Sequence, residues 1–230
     1  DQPRSRGLGD VYKRQGMTAT PDKRDDNVEG RNVYEIFNYQ IAYEIRLQQA
    51  MEENLLCPFH YFGITDLSMI GDEEAARDFN MLTSDERVRH IVNQADYYGY
   101  SGDKVKGLIF CSNIKETEEL SAKFNQIINP ATGKNFRTVA LNGSASEQER
   151  QDAFERLAMN EDESSEDRQP LDYIFSVEIL NEGVDIVEVN QVIMLRPTQS
   201  PIVFIQQLGR GLRKASGKEL SLIHISEPTR

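Results

Sequence analysis

The segment Gln206-Gln207-Leu208-Gly209-Arg210-Gly211-Leu212-Arg213 sets two arginines three residues apart. In a helix, that spacing lays Arg210 and Arg213 on one face. A guanidinium keeps its charge at every working pH, and its planar fork matches phosphate oxygens. The small residues Gly209 and Gly211 permit another group to come close. These residue types together suit the stabilisation of charge on a phosphoryl group in transfer. An isolated pair of arginines is an ordinary solvated helix face, so the neighbouring segments must decide.

Three such segments carry small polar residues after apolar runs. Leu108 to Asn113 (LIFCSN) ends in Ser112 and Asn113. Asn142-Gly143-Ser144 follows the next run, and Asn181-Glu182-Gly183-Val184-Asp185 follows a third. Gly183 permits backbone geometry that other residues resist, and Asp185 can accept hydrogen bonds from a ribose hydroxyl. Each segment alone is an ordinary turn or cap.

The elements that position them alternate. Residues 107–111, 137–141, 171–177 and 189–195 read as buried strands. Residues 115–128, 146–159 and 200–213 read as helices, the second opened by a capping box in which Ser146 and Glu149 exchange bonds. Residues 58–64 (PFHYFGI) read as an aromatic strand, and 72–98 as a helical elaboration before the regular pattern. Residues 160–170 are acidic and serine-rich, a solvated loop. Strands alternating with helices at this interval predict an α/β fold with a doubly wound parallel sheet. Ligands of such sheets bind outside the carboxyl ends of the strands, so all four segments are expected at that mouth.

The two ends have a different character. Residues 5–15 (SRGLGDVYKRQ) and 220–230 (LSLIHISEPTR) can be encoded as reverse complements along their whole length. Gln15 as CAG pairs with Leu220 as CTG, and Ser5 as TCT with Arg230 as AGA. This resembles a transposon adapter from a sequencing library. Residues 1–15 and 220–230 are therefore expected to be scars and are set aside from the fold. The natural part is expected to be a fragment of about Gly16 to Glu219, truncated at both ends.

The 230-residue chain carries a formal charge of −12. The scars hold five basic and three acidic side chains, so the natural part stands at −14. That balance argues against indiscriminate nucleic-acid binding, though a local basic groove is compatible with it. Cys57 and Cys111 lie far apart, without metal-ligand spacing, and read as buried thiols of a reducing compartment. No metal site is expected, and no apolar run is long enough to cross a bilayer. A cytoplasmic location is expected, and the sequence leaves the oligomeric state open.

In this order, the segments resemble the second RecA-like domain of superfamily 2 helicases and translocases. FCSN resembles motif IV, NEGVD motif V and QQLGRGLR motif VI. Gly16 to Pro21 (GMTATP) is similar to motif III, which closes the first RecA-like domain. The resemblance implies a RecA-like α/β sheet with helices on both faces. It divides the chain into residues 16–57, the end of the first domain with its linker, and 58–219, the second domain. It implies ATP with Mg2+, held mainly by the first domain, with Arg213 as arginine finger and Arg210 as γ-phosphate contact. Gln206, Gly209, Gly183 and Asp185 would face the nucleotide. Ser112, Asn113, Asn142, Gly143 and Ser176 would meet a nucleic-acid strand backbone, and Thr18 and Thr20 would couple hydrolysis to movement. GMTATP, EGVD and QLGRGLRK look closer to the DNA-directed branch near type III restriction subunits and DNA-repair helicases than to DEAD-box proteins. DNA is thus the expected partner ahead of RNA. A restriction-enzyme motor subunit, an RNA helicase and a non-catalytic α/β binding module stay as alternatives. The phosphate-cradling GxxxxGK[ST] and a DExH-type motif are absent from the sequence, so this polypeptide alone is expected not to hydrolyse ATP.

Overall fold

The computed structural model describes residues 33–65, 79–177, 186–195 and 201–227. Residues up to Arg46 form one unit, and Leu47 onward a second. The described part of the first holds a single helical turn, α1 (Val33–Ile36), and the stacked rings of Tyr34 and Tyr39. The second unit begins with α2 (Leu47–Glu52). Leu47 and Leu56 pack on its core.

Short apolar runs rich in β-branched and aromatic residues form the strands. They are β1 (Phe59–Thr65), β2 (Gly107–Phe110), β3 (Thr138–Leu141), β4 (Tyr173–Ser176), β5 (Gln191–Met194) and β6 (Ser221–Glu227). All pair in parallel, in the order β1-β6-β5-β2-β4-β3. Between them run α3 (Phe79–Leu82), α4 (Asp85–Tyr98), α5 (Ile114–Phe124), α6 (Glu147–Ala158) and α7 (Pro201–Gly211). From β2 the chain moves toward β3 and β4, then crosses to β5 on the other side. The strand order therefore reverses at β2.

Alternate residues of β2, β4 and β5 enter two cores, the pattern of a sheet covered on both faces. Leu108, Phe110, Ile174, Val192 and Met194 meet Ala153 and Leu157 of α6 and Leu208 of α7. Ile109, Phe175 and Ile193 meet Val88 and Ile91 of α4 and Leu120 and Phe124 of α5. The RecA-like α/β fold with helices on both faces is thus present, and α4 belongs to one of its layers. Phe124 is the hub of the second core, 5.0 Å from the Phe175 ring and 5.5 Å from Phe136. Gly107 is fixed by packing, since a Cβ there would lie 2.2 Å from the Tyr173 ring.

Two expectations change. Helix α7 ends at Gly211, so Arg213 lies beyond it and does not share a helical face with Arg210. The segment set aside at the end also takes part in the fold: β6 fills the gap between β1 and β5, with Leu222, Ile223, His224 and Ile225 all buried. Codon symmetry is a property of the DNA, whereas a sheet responds to side chains. Leu-Ile-His-Ile is an apolar, partly β-branched run that suits a strand covered on both faces.

Candidate functional site

Where β2 ends, Ser112 and Asn113 lead into α5. The Asn113 side-chain oxygen accepts from the Glu116 amide at 2.9 Å, capping a helix whose first amides have no partner inside it. Asn113 is exposed, and Ser112 half-buried. The Ser112 amide donates to Glu116 Oε2 at 2.7 Å. Glu116 in turn receives the Arg87 guanidinium at 2.7 Å, with side-chain exposures of 0 % and 1 %. Arg87 also donates to the carbonyl of Leu195, at the end of β5, and to that of Leu82. One buried ion pair therefore ties α4, the turn after β2 and the end of β5 together, at the point where the strand order reverses. The Cys111 thiol beside it is pushed up by burial, with Glu116 adding to the rise, which leaves it protonated and inert.

At the end of β3, the Asn142 side-chain oxygen accepts from the Ser144 amide at 2.9 Å and from its hydroxyl at 2.5 Å. This local turn leaves Gly143 exposed, with no atom within 4 Å of where a Cβ would stand. Asn142 also donates to Glu118 at 3.3 Å, which brings the turn beside α5. The turns after β2 and β3 thus share the carboxyl edge. Ser176, at the end of β4, differs: it is 0 % exposed, and its hydroxyl finds no partner among the described residues.

The arginine segment lies elsewhere. α7 packs antiparallel to the strands, so its last turn reaches their amino ends. A Cβ on Gly211 would lie 2.9 Å from Val192, the second residue of β5, and 2.9 Å from Ser221, the first of β6. Gly211 therefore serves helix-to-sheet packing, whereas Gly209 has open space around its Cβ position. Gln206, Arg210 and Arg213 are half-buried. Past the helix, the Leu212 carbonyl accepts from the Cys57 amide at 2.8 Å. Lys218 Nζ donates to the carbonyls of Gly211 at 2.7 Å and Arg213 at 2.8 Å. Lys214 Nζ reaches the Asn54 side chain at 2.8 Å. The expectation of a shared mouth is corrected for the described segments: the arginines occupy the amino edge, and the turns after β2 and β3 occupy the carboxyl edge. The reason is topological, since a crossover helix must return the chain to the start of the next strand.

Thr18, Thr20, Gly183 and Asp185 lie outside the described residues. Among the described residues, no group of three or more His, Cys, Asp or Glu is placed to hold a metal ion, and no helix is long and apolar enough to cross a membrane. Sequence reasoning missed Arg87, Glu116 and Lys218. The first two had a visible signal. Glu116 falls in helical register with Leu120 and Phe124, and Arg87 with Ile91, so each places a charge on a buried stripe. Lys218 gave none, because its role depends on a turn closed between Ala215 and Lys218 around Gly217, whose φ is +77°.

A six-stranded parallel sheet with helices on both faces and polar turns at its carboxyl edge is a RecA-like α/β domain. The helicase conserved C-terminal domain family matches residues 86–215, more than half of the chain, and the chain belongs to that family, the second RecA-like domain of superfamily 2 helicases. Among solved structures, it is similar to a fragment assigned to the HsdR subunit of a type I restriction enzyme from Vibrio vulnificus YJ016. There the TM-score is 0.65 and the identity 19%, covering 88% of this chain and 37% of that one. It is also similar to the ATP-dependent type ISP restriction-modification enzyme LlaBIII bound to DNA, with TM-score 0.55 and 19% identity, covering 84% of this chain and 13% of that one. The chain thus spans well under half the length of these proteins. No curated protein sequence matches it.

Proposed function

We propose that this chain is the second motor domain of an ATP-dependent DNA helicase or translocase, preceded by the end of the first and a linker. Arg213 acts as the arginine finger and Arg210 as a contact to the γ-phosphate, with Gln206, Gly209, Gly183 and Asp185 at the nucleotide. Ser112, Asn113, Asn142 and Gly143 meet the backbone of a nucleic-acid strand, with Ser176 behind them. Thr18 and Thr20 couple the two events. The observation that supports this reading is that Arg210 and Arg213 are half-buried on a segment fastened through Lys218 and Cys57, rather than facing bulk water. Permanent cations sit on a fastened segment at one edge of the sheet, and exposed polar turns sit at the other, so one rigid domain can hold two ligands at once. The open space at Gly209 and the half-buried guanidinium of Arg210 beside it suit a phosphate. ATP with Mg2+ would be held mainly by the first domain, as in the family this chain resembles. When bound there, the ion neutralises phosphate charge. DNA is preferred to RNA on the likeness of EGVD and QLGRGLRK to the DNA-directed branch, in keeping with the DNA in the LlaBIII structure.

The test is ATP turnover by a protein carrying both RecA-like domains, with DNA or RNA added. Stimulation by DNA, lost in Arg213→Ala while DNA affinity persists, supports the reading. Stimulation by RNA alone would redirect it to an RNA helicase, and normal turnover of Arg213→Ala would remove it.

A further inference from the structure

Gly211 and Arg213 expose main-chain carbonyls just where α7 stops, and carbonyls at a helix end have no partner inside the helix. Here a single side chain satisfies both. Lys218 Nζ lies 2.7 Å from the Gly211 oxygen and 2.8 Å from the Arg213 oxygen, with the Val187 oxygen at 3.5 Å. The ammonium arrives by a tight turn, in which the Lys218 amide donates back to the Ala215 carbonyl at 3.2 Å. Lys218 is half-buried. The titratable groups facing it are Cys57 before β1 and Glu188 before β5; Lys214 in turn acts on Cys57. A cation at a helix C-terminus is favoured by the dipole, but a cap alone would need only the Gly211 carbonyl. The second bond, to Arg213 itself, fixes the peptide that carries the arginine.

We propose that Lys218 is the positioning residue of the arginine finger: it holds the Arg213 main chain, and hence the start of its side chain, in the place that catalysis requires. This rests on the proposed role of Arg213. A flexible arginine would lose orientation at each turnover, and misplacement by about 1 Å can cost on the order of a hundredfold in rate. The contact also links the arginine segment to β5 through Val187 and to the approach of β1 through Cys57, so the segment moves with the sheet as one body. Burial pushes the Lys218 ammonium down to about 8, with Cys57 and Glu188 opposing the fall, which brings loss of the clasp's charge within reach of assay.

The experiment compares five forms of a protein carrying both RecA-like domains: wild type, Arg213→Ala, Lys218→Met, Lys218→Arg and the double variant Arg213→Ala/Lys218→Met. Lys218→Met keeps the alkyl stem and removes the donors. Lys218→Met is expected to lower kcat at least tenfold with KM for ATP and DNA affinity within about twofold, and Lys218→Arg to restore part of the loss. In the double variant Arg213→Ala/Lys218→Met, the loss should not exceed that of Arg213→Ala alone. Wild-type kcat should also fall above about pH 8, and Lys218→Arg should lack that fall. If Arg213→Ala turns over normally, the reading of Arg213 has failed rather than that of Lys218. If Arg213→Ala is impaired while Lys218→Met retains wild-type kcat, or if Lys218→Met lowers only the melting temperature, the positioning role is overturned. Should Lys218→Met not fold, Lys218→Gln takes its place, and a wild-type kcat in that variant overturns the positioning role equally.

Discussion

Removing one member of the Arg87–Glu116 pair should be among the most damaging single changes to this fold. Replacing Glu116 with leucine leaves a guanidinium with 1 % exposure opposite an apolar group. Breaking a buried pair in this way costs about 3–5 kcal/mol. The Ser112 amide, 2.7 Å from Glu116, loses its acceptor as well. With a urea slope of about 2 kcal/mol per molar, the unfolding midpoint should fall by roughly 2 M. Arg87→Met should cost a similar amount, because it strands the carboxylate and leaves the carbonyls of Leu82 and Leu195 unmatched. The double variant Arg87→Met/Glu116→Leu removes both charges, and apolar replacements of buried pairs can be close to neutral. Three backbone groups remain without partners, so it should stay below wild type while recovering a coupling energy of about 1–3 kcal/mol relative to the sum of the singles. Urea unfolding of the four forms measures this directly. Additive singles, or a cost for Glu116→Leu below about 1 kcal/mol, would show that the pair is solvated and does not organise the carboxyl edge.

Other consequences follow from the same packing. Gly107→Ala places a methyl 2.2 Å from the Tyr173 ring and should lower stability by about 1–3 kcal/mol or more, read from the urea midpoint. Ser146→Ala removes the side-chain acceptor of the Glu149 amide at the start of α6, while the backbone amide of residue 146 still donates to the Glu149 carboxylate; it should cost about 1 kcal/mol, with faster amide exchange in residues 147–149. His224 is 1 % exposed, and burial pushes its imidazole down to about 4. The unfolded chain therefore binds a proton first as pH falls, so stability is full above about 6.5 and declines toward 4. In His224→Leu the melting temperature should lose that dependence between pH 6.5 and 4, and an unchanged profile would show that β6 is not seated in the sheet. Lys104 is likewise pushed down to about 8 by burial from an ordinary 10.5. Its contribution to stability should rise with pH across that window, and the melting-temperature difference between wild type and Lys104→Met should shift accordingly.

The strands from Gly107 onward were legible because both faces of each are buried, which leaves continuous apolar runs. The α6 cap was legible because Ser146 and Glu149 stand three apart. The end of α7 was not, since an arginine beyond a helix and one on it look alike in sequence. Nor was the edge on which the arginines fall: that follows from the direction of a crossover helix, and the carboxyl-edge rule was applied to a segment at the helix's far end. The place of Ser221–Glu227 was missed for another reason. Its codon symmetry is a property of DNA, whereas its seat in the sheet follows from the buried Leu222, Ile223, His224 and Ile225. Arg87 and Glu116 could have been found as charges in register with apolar stripes, whereas Lys218 needed the turn around Gly217 to bring it back to α7.

The central claim is that a guanidinium from this domain stabilises the phosphoryl group of a nucleotide held by another. Single-turnover ATP hydrolysis in the two-domain protein tests it most directly. With saturating ATP and DNA, Arg213→Ala should slow the chemical step by roughly 10³–10⁵-fold, with both affinities preserved. A rate constant within tenfold of wild type would contradict the account.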